Sequence, residues 1–237
     1  MAKVQTQNHI NVQNKLRQIV VAAVVAAWNN LQSYDERDIE PFLAAVLPIV
    51  NAGQRQSIAL TEAYLAQVLR RQPIGVNHDE IIGSLRGDVT PDEVYRRPFV
   101  TVWTALKEGK TWEEAVHAGG ARVAATADVD VAMSSRATFK QVQEADEGIY
   151  GYQRVAEGGA CKFCVAINGA YVKSADASPL HNRCGCSLEP LTRPHPRAAY
   201  LPSGAAIERD YAVHEHGELG ATLTDPDHSF DGPSVVK

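Results

Sequence analysis

Tyr150 to Leu191 reads YGYQRVAEGGACKFCVAINGAYVKSADASPLHNRCGCSLEPL and holds all four cysteines of the chain. Cys161 and Cys164 form a C-x2-C pair. After 16 intervening residues, His181, Cys184 and Cys186 form an H-x2-C-x-C cluster. Two sulfur ligands two residues apart can chelate one ion from a single tight turn, and a second group brought in from a distant turn completes a tetrahedron. Five candidate ligands compete for four positions. The favoured set is Cys161, Cys164, His181 and Cys184, with Cys186 the substitute for either His181 or Cys184. Two other readings exist: two disulfides, in any of three connectivities, or free thiols beside a surface histidine. A 237-residue chain with four cysteines is neither small nor cysteine-dense, and the spacing favours structural zinc. A catalytic zinc keeps one position open and needs a nearby carboxylate base, whereas five available ligands argue for a closed site that folds its module.

Around the cysteines the side-chain period is two. Tyr150, Tyr152 and Arg154 are expected on one face of a short strand, with Gln153 and Val155 on the other. Ala170 to Val172 and Ser187 to Leu191 also fit short strands. Gly158-Gly159 and Asn168-Gly169 are turn signals, the latter returning the chain between Cys164 and the Tyr171 strand.

Upstream the period is helical. Val12, Leu16, Ile19, Val20, Val24, Trp28 and Leu31 form an apolar stripe over 11–31. The stripe is expected to be core or partner interface, and its exposure in the isolated chain would lead to self-association. A second helix is expected from Asp38, with Pro41 in its first turn and a break at Gly53, after which the apolar spacing resumes. Residues 72–88 read as a turn-rich connector. Thr90-Pro91-Asp92-Glu93 and Thr111-Trp112-Glu113-Glu114 are capping boxes for a third and a fourth helix. Pro98 is expected to kink the third, and Gly119-Gly120 to end or bend the fourth. A fifth helix is expected over 128–144. Beyond Pro190, repeated prolines and glycines predict an extended arm. His214 and His216, beside Glu215 and Glu218, read there as surface residues. The fold class is therefore α+β, divided as a helical domain over 1–147, a cysteine–histidine module over 148–193 and an extended acidic arm over 194–237.

The net charge of −5 argues against a general nucleic-acid coat. Residues 158–197 are faintly basic (Lys162, Lys173, Arg183, Arg193 and Arg197 against Asp176 and Glu189), and the chain from Glu208 onward is acidic. The membrane-like run Ile19 to Trp28 is 10 residues long, too short to span a bilayer. A soluble protein made in a reducing cytoplasm is expected.

The residues GYQRV (151–155), CKFC (161–164), AYV (170–172), PLHNRCGC (179–186), EPL (189–191) and HEHGELGATLTDPDHSF (214–230) resemble the MuF-like minor head proteins of tailed bacteriophages, in the form found in phages of actinobacteria. The resemblance implies a head-morphogenesis protein, present in few copies inside the procapsid and associated with portal, capsid or scaffold proteins. It also implies possible weak contact with packaged DNA and no membrane. The location implied is the capsid interior, after assembly in the host cytoplasm. The stretch lacks the protease- or toxin-like domain that some members append, so no enzymatic activity is expected.

Two other classes compete. A metal-dependent nuclease lacks a second histidine and an acid at useful spacing to hold a catalytic ion. A zinc-ribbon nucleic-acid module would use Lys162, Lys173 and Arg183 on phosphates and Phe163 and Tyr171 for stacking. Those two rings are expected rather to pack around the cysteines, since a small module has little other core.

Overall fold

The structure is a computed structural model that describes residues 2–175, 184–193, 212–215 and 221–224. Its body is helical: α1 (Ala2–Asn29), α2 (Glu36–Leu69), α3 (His78–Ser84), α4 (Pro91–Lys107) and α5 (Trp112–Glu144). There follow β1 (Tyr152–Val155), α6 (Lys162–Ala166), β2 (Tyr171–Val172) and β3 (Ser187–Pro190), and then β4 (Ala212–Glu215) and β5 (Ala221–Thr224).

Both capping boxes form. Glu93 N donates to Thr90 Oγ1 while Thr90 N donates to Glu93 Oε2, and Thr111 and Glu114 repeat the exchange. Helix α1 begins near the chain's start rather than at Asn11, and its apolar stripe is core: Leu16, Val20, Val24 and Trp28 are all buried. The residues 72–88 contain a short helix, α3, capped by Asn77, whose side chain accepts from the Asp79 and Glu80 amides. Helix α4 runs as one element through Pro98.

The glycines expected to interrupt helices do not. Helix α2 passes unbroken through Gly53, and α5 passes through Gly119-Gly120, absorbing the separate helix expected over 128–144. A Cβ at Gly53 would lie 2.5 Å from a Val20 methyl and 3.3 Å from one of Val131, so α1, α2 and α5 close together there only without a side chain. A Cβ at Gly119 would lie 2.5 Å from the Trp28 ring and 2.7 Å from Val102. These glycines cost helix propensity, about 1 kcal/mol each, and in return leave room for Val20, Val131, Trp28 and Val102 of the neighbouring helices.

Trp28 is the centre of the first apolar cluster. Its ring packs against Tyr34, Phe42 and Phe99 at centroid distances of 5.0, 5.5 and 5.1 Å, and its Nε1 donates to the Val116 carbonyl at 3.2 Å. A second cluster lies at the other end of the helices. It joins Tyr64 and Leu65 of α2 and Phe139 and Val142 of α5 to Tyr152, Val172 and Leu188 of the three strands. Between the clusters runs a buried polar layer. Gln13 Nε2 donates to the Ser57 carbonyl and to Thr61 Oγ1, both at 2.9 Å, and Thr61 Oγ1 lies 2.7 Å from Ser135 Oγ. Ser57 Oγ is 2.9 Å from both Gln13 Oε1 and the Val131 carbonyl.

The three strands form one antiparallel sheet in the order β2-β1-β3, with Arg154 opposite Leu188 and Tyr152 opposite both Val172 and Pro190. Tyr150 is exposed instead of sharing the inward face of Tyr152 and Arg154. Gly151 breaks the alternation: its φ is +143°, and a Cβ there would meet the Val172 carbonyl at 2.4 Å. Past Pro190 the chain is not wholly arm-like, because β4 and β5 pair antiparallel, with His214 opposite Thr222. Apart from those two strands and residues 191–193, the expected arm lies outside the described residues.

Candidate metal centre

The cysteines reach one place from two short segments. Cys161 and Cys164 flank the start of α6, where the Cys164 amide donates to Cys161 Sγ at 3.4 Å and the Val165 amide to the Cys161 carbonyl at 3.0 Å. Asn168-Gly169 then turns the chain back as expected. Gly169 has φ +82° and donates its amide to the Arg154 carbonyl at 2.8 Å, while Asn168 Oδ1 accepts from Ala156 N at 2.9 Å. Cys184 and Cys186 precede β3, whose pairing with β1 carries them to α6.

The sulfurs of Cys164, Cys184 and Cys186 all lie within 4.8 Å of one another. Cys164 Sγ and Cys184 Sγ are 3.7 Å apart. A disulfide needs about 2.05 Å, and none of the four cysteines is in a disulfide. A zinc–sulfur bond of about 2.3 Å in a tetrahedron puts neighbouring sulfurs about 3.8 Å apart, close to the separation found. The donor set therefore fits a thiophilic cation, and three close cysteines can hold one. Cys161 is half-buried and packs beside this group. His181 lies outside the described residues. Cys186, the substitute in the sequence reading, is one of the three sulfurs brought together.

The electrostatics are those of crowded sulfur. Cys164 is pushed up to about 12, first by the hydrogen bond it shares with Cys184, with burial adding to it. Cys186 is pushed higher by sulfur contacts to Cys164 and Cys184 and by burial. These thiols keep their protons at neutral pH unless a cation takes the protons' place. Arg154 is 2% exposed, and its Nη2 donates to Cys164 Sγ at 3.3 Å and to Cys184 Sγ at 3.2 Å. Burial works against its charge, but the pull of Cys184, Cys164 and Cys186 outweighs burial and raises its pKa.

Helix α1 clamps the loop that carries Cys184 and Cys186. Arg17 Nη1 donates to the Cys184 carbonyl at 2.6 Å, while its Nε and Nη2 grip Asp128 of α5 at 2.8 and 2.5 Å. The Gly185 amide donates to Glu157 Oε1 at 2.8 Å, and Asn14 Nδ2 donates to Glu157 Oε2 at 2.6 Å. A Cβ at Gly185 would meet Glu157 Oε2 and Asn14 Nδ2, so a side chain there would push this hydrogen-bonded pair aside. Beside the clamp is a cavity of about 40 Å³, lined by His9, Arg17, Ser135, Cys184, Ser187 and neighbours, roomy enough for one or two waters. His9 is buried, stacks on Tyr64 at 4.4 Å, and has a pKa lowered to about 4 by burial, so it is neutral.

The sequence reading missed Arg17, Asn14 and Glu157 altogether and saw Arg154 only as a strand residue. An arginine alternating with an inward tyrosine was the one available signal for Arg154. Of the residues considered for nucleic-acid contact, Lys162 and Lys173 are exposed and Tyr171 is half-buried, while the Phe163 side chain and Arg183 lie outside the described residues. Among the described residues, no helix is long and apolar enough to cross a membrane.

The sequence profile of the VG15 protein family matches residues 1–212, and the chain belongs to that family. Membership marks it as a phage-encoded protein. No curated protein and no solved structure matches the chain.

Proposed function

We propose that the protein is a phage minor head protein of the MuF-like type, carried in few copies inside the capsid, bound to the portal or to capsid or scaffold protein, and without enzymatic activity. Membership of the VG15 family over residues 1–212 is the observation that carries this reading. A helical body whose far end is closed by a cysteine-held sheet suits a part that must dock rigidly during assembly. In the same reading the cysteines hold one structural zinc, with Cys164, Cys184 and Cys186 as ligands and Cys161 or His181 completing the set. The zinc's contribution is to tie α6 to the lead of β3, two segments that have little apolar surface of their own.

Quantitative mass spectrometry of purified procapsids and virions tests the role. A few copies per particle, cross-linked to portal, is the expected result, and absence from both particles sinks the proposal. Elemental analysis with thiol titration tests the metal. One zinc per chain, with thiols released on chelation, is expected, and freely reactive thiols without metal in the purified protein exclude it. Weak, salt-sensitive DNA affinity is compatible with a capsid interior, and nicking of plasmid with added magnesium or manganese would favour the nuclease reading instead.

A further inference from the structure

We propose that Arg154 is the positioning and charge-compensating residue of the sulfur centre, holding Cys164 and Cys184 in place for a thiophilic divalent cation; this rests on the reading of the cluster as a metal centre. The backbone fixes where the side chain goes. Arg154 N donates to the Ala170 carbonyl and its own carbonyl accepts from Gly169 N, both at 2.8 Å, while β3 pairs along its other edge. Held on both sides, residue 154 must project from the face it shares with Tyr152, and that face meets the sulfurs.

One nitrogen bridges both halves of the donor set. Nη2 reaches Cys164 of α6 and Cys184 before β3, sulfurs that come from segments 20 residues apart. A guanidinium can do this because its donors are fixed in a plane, whereas an ammonium is a point charge on a flexible stem. The charges also sum correctly. A divalent cation with the three thiolates of Cys164, Cys184 and Cys186 carries one negative charge, which Arg154 cancels; were Cys161 the fourth ligand, Arg154 would halve a double negative charge. Without the arginine that negative charge would be buried with no compensation, an unfavourable state in a low-dielectric interior.

The alternative is that Arg154 only fills space, and the two roles separate experimentally. Arg154→Met keeps an apolar stem and removes the charge and donors. The full-length chain, its Met variant and Arg154→Lys are loaded with cobalt(II) as a spectroscopic probe and titrated against a chelator. Circular dichroism reports the helices. The expected result is a 10- to 100-fold weaker metal affinity in the Met variant. A shifted sulfur-to-cobalt charge-transfer band should accompany it, with helix content kept and part of the affinity restored by lysine. Parent-like affinity and an unshifted band in the Met variant overturn the proposal. Should that variant fail to fold, the Lys variant decides. A tenfold or greater loss upholds the bridging role, and affinity within twofold of the parent with an unshifted band overturns it. A parent chain that binds neither cobalt nor zinc overturns the metal reading itself, and this inference with it.

Discussion

The two ends of the helical body are held by different physics. At the Trp28 end, α1, α2, α4 and the first half of α5 meet through aromatic rings and branched aliphatics, with Gly119 making room for the Trp28 ring. Toward the sheet end, before the second apolar cluster is reached, α1, α2 and α5 turn polar inside. Gln13, Ser57, Thr61 and Ser134 are buried and hydrogen-bonded, and α1 holds the cysteine loop through Arg17 and Asn14. Apolar packing is tolerant of sequence and indifferent to pH. A buried polar network admits few arrangements and fails when one member is removed. One end therefore supplies bulk stability, and the other specifies how the sheet is seated.

That contrast can be broken at either end. Trp28→Ala should have the largest effect, about 3–5 kcal/mol from lost burial and the cavity left behind. It should appear as a global fall in the urea midpoint. A loss below about 1 kcal/mol would mean that the Trp28 end is not the main source of stability. Arg17→Met comes next. It leaves Asp128 without its cation and releases the Cys184 carbonyl, at a cost of about 3 kcal/mol. Chelator competition should also show metal held at least tenfold less tightly. Unchanged metal affinity would show that the loop is organised without α1.

A pH effect should follow, confined to the sheet end. His9 stays neutral in the fold down to about pH 4, against an ordinary value of 6.5. Above pH 6.5 it adds no pH dependence. Between 6.5 and 4 the unfolded chain takes up a proton that the folded chain refuses, so stability falls as pH falls, by about 2 kcal/mol at pH 5. Comparing denaturation of the parent and His9→Phe across that window isolates the effect, and identical slopes would refute it. Ser57→Ala should cost least, about 1 kcal/mol, with apolar-end mobility unchanged by hydrogen exchange. Faster exchange around Trp28 would show that the two ends are not separable.

What could be read from the sequence was what a few neighbouring residues decide. Both capping boxes, the three short strands of the sheet and the Asn168-Gly169 turn depend on contacts within a handful of positions, and each is where its residues put it. Gly53 and Gly119 were misread because a glycine that breaks a helix and one that admits a neighbour look alike until the neighbour is known. Gln13, Ser57 and Thr61 look like surface positions, since their partners are 44 to 74 residues away. The cysteine spacing announced sulfurs that could share one ion, but the arginine between them and the helix above them belong to pairings that no local pattern records. The Asn77-capped α3 was short enough to hide among turn residues, and the β4–β5 pair lay in a stretch punctuated by glycine and proline.

The hydrogen bond from Thr6 to Glu189 joins residues 183 apart, and Tyr64, whose hydroxyl is 2.8 Å from Thr6 Oγ1, reaches the Leu188 carbonyl beside it. Helix α1 is thus completed by β3, the last strand of the three-stranded sheet in chain order. At a synthesis rate of about 5–20 residues per second, roughly 10–40 s pass between the two. During that interval the aromatic end can close on itself while the polar face of α1 waits in water. The sheet, and any metal it holds, arrives long after the helices it closes, and the helical body is complete only when residues 183 apart have met.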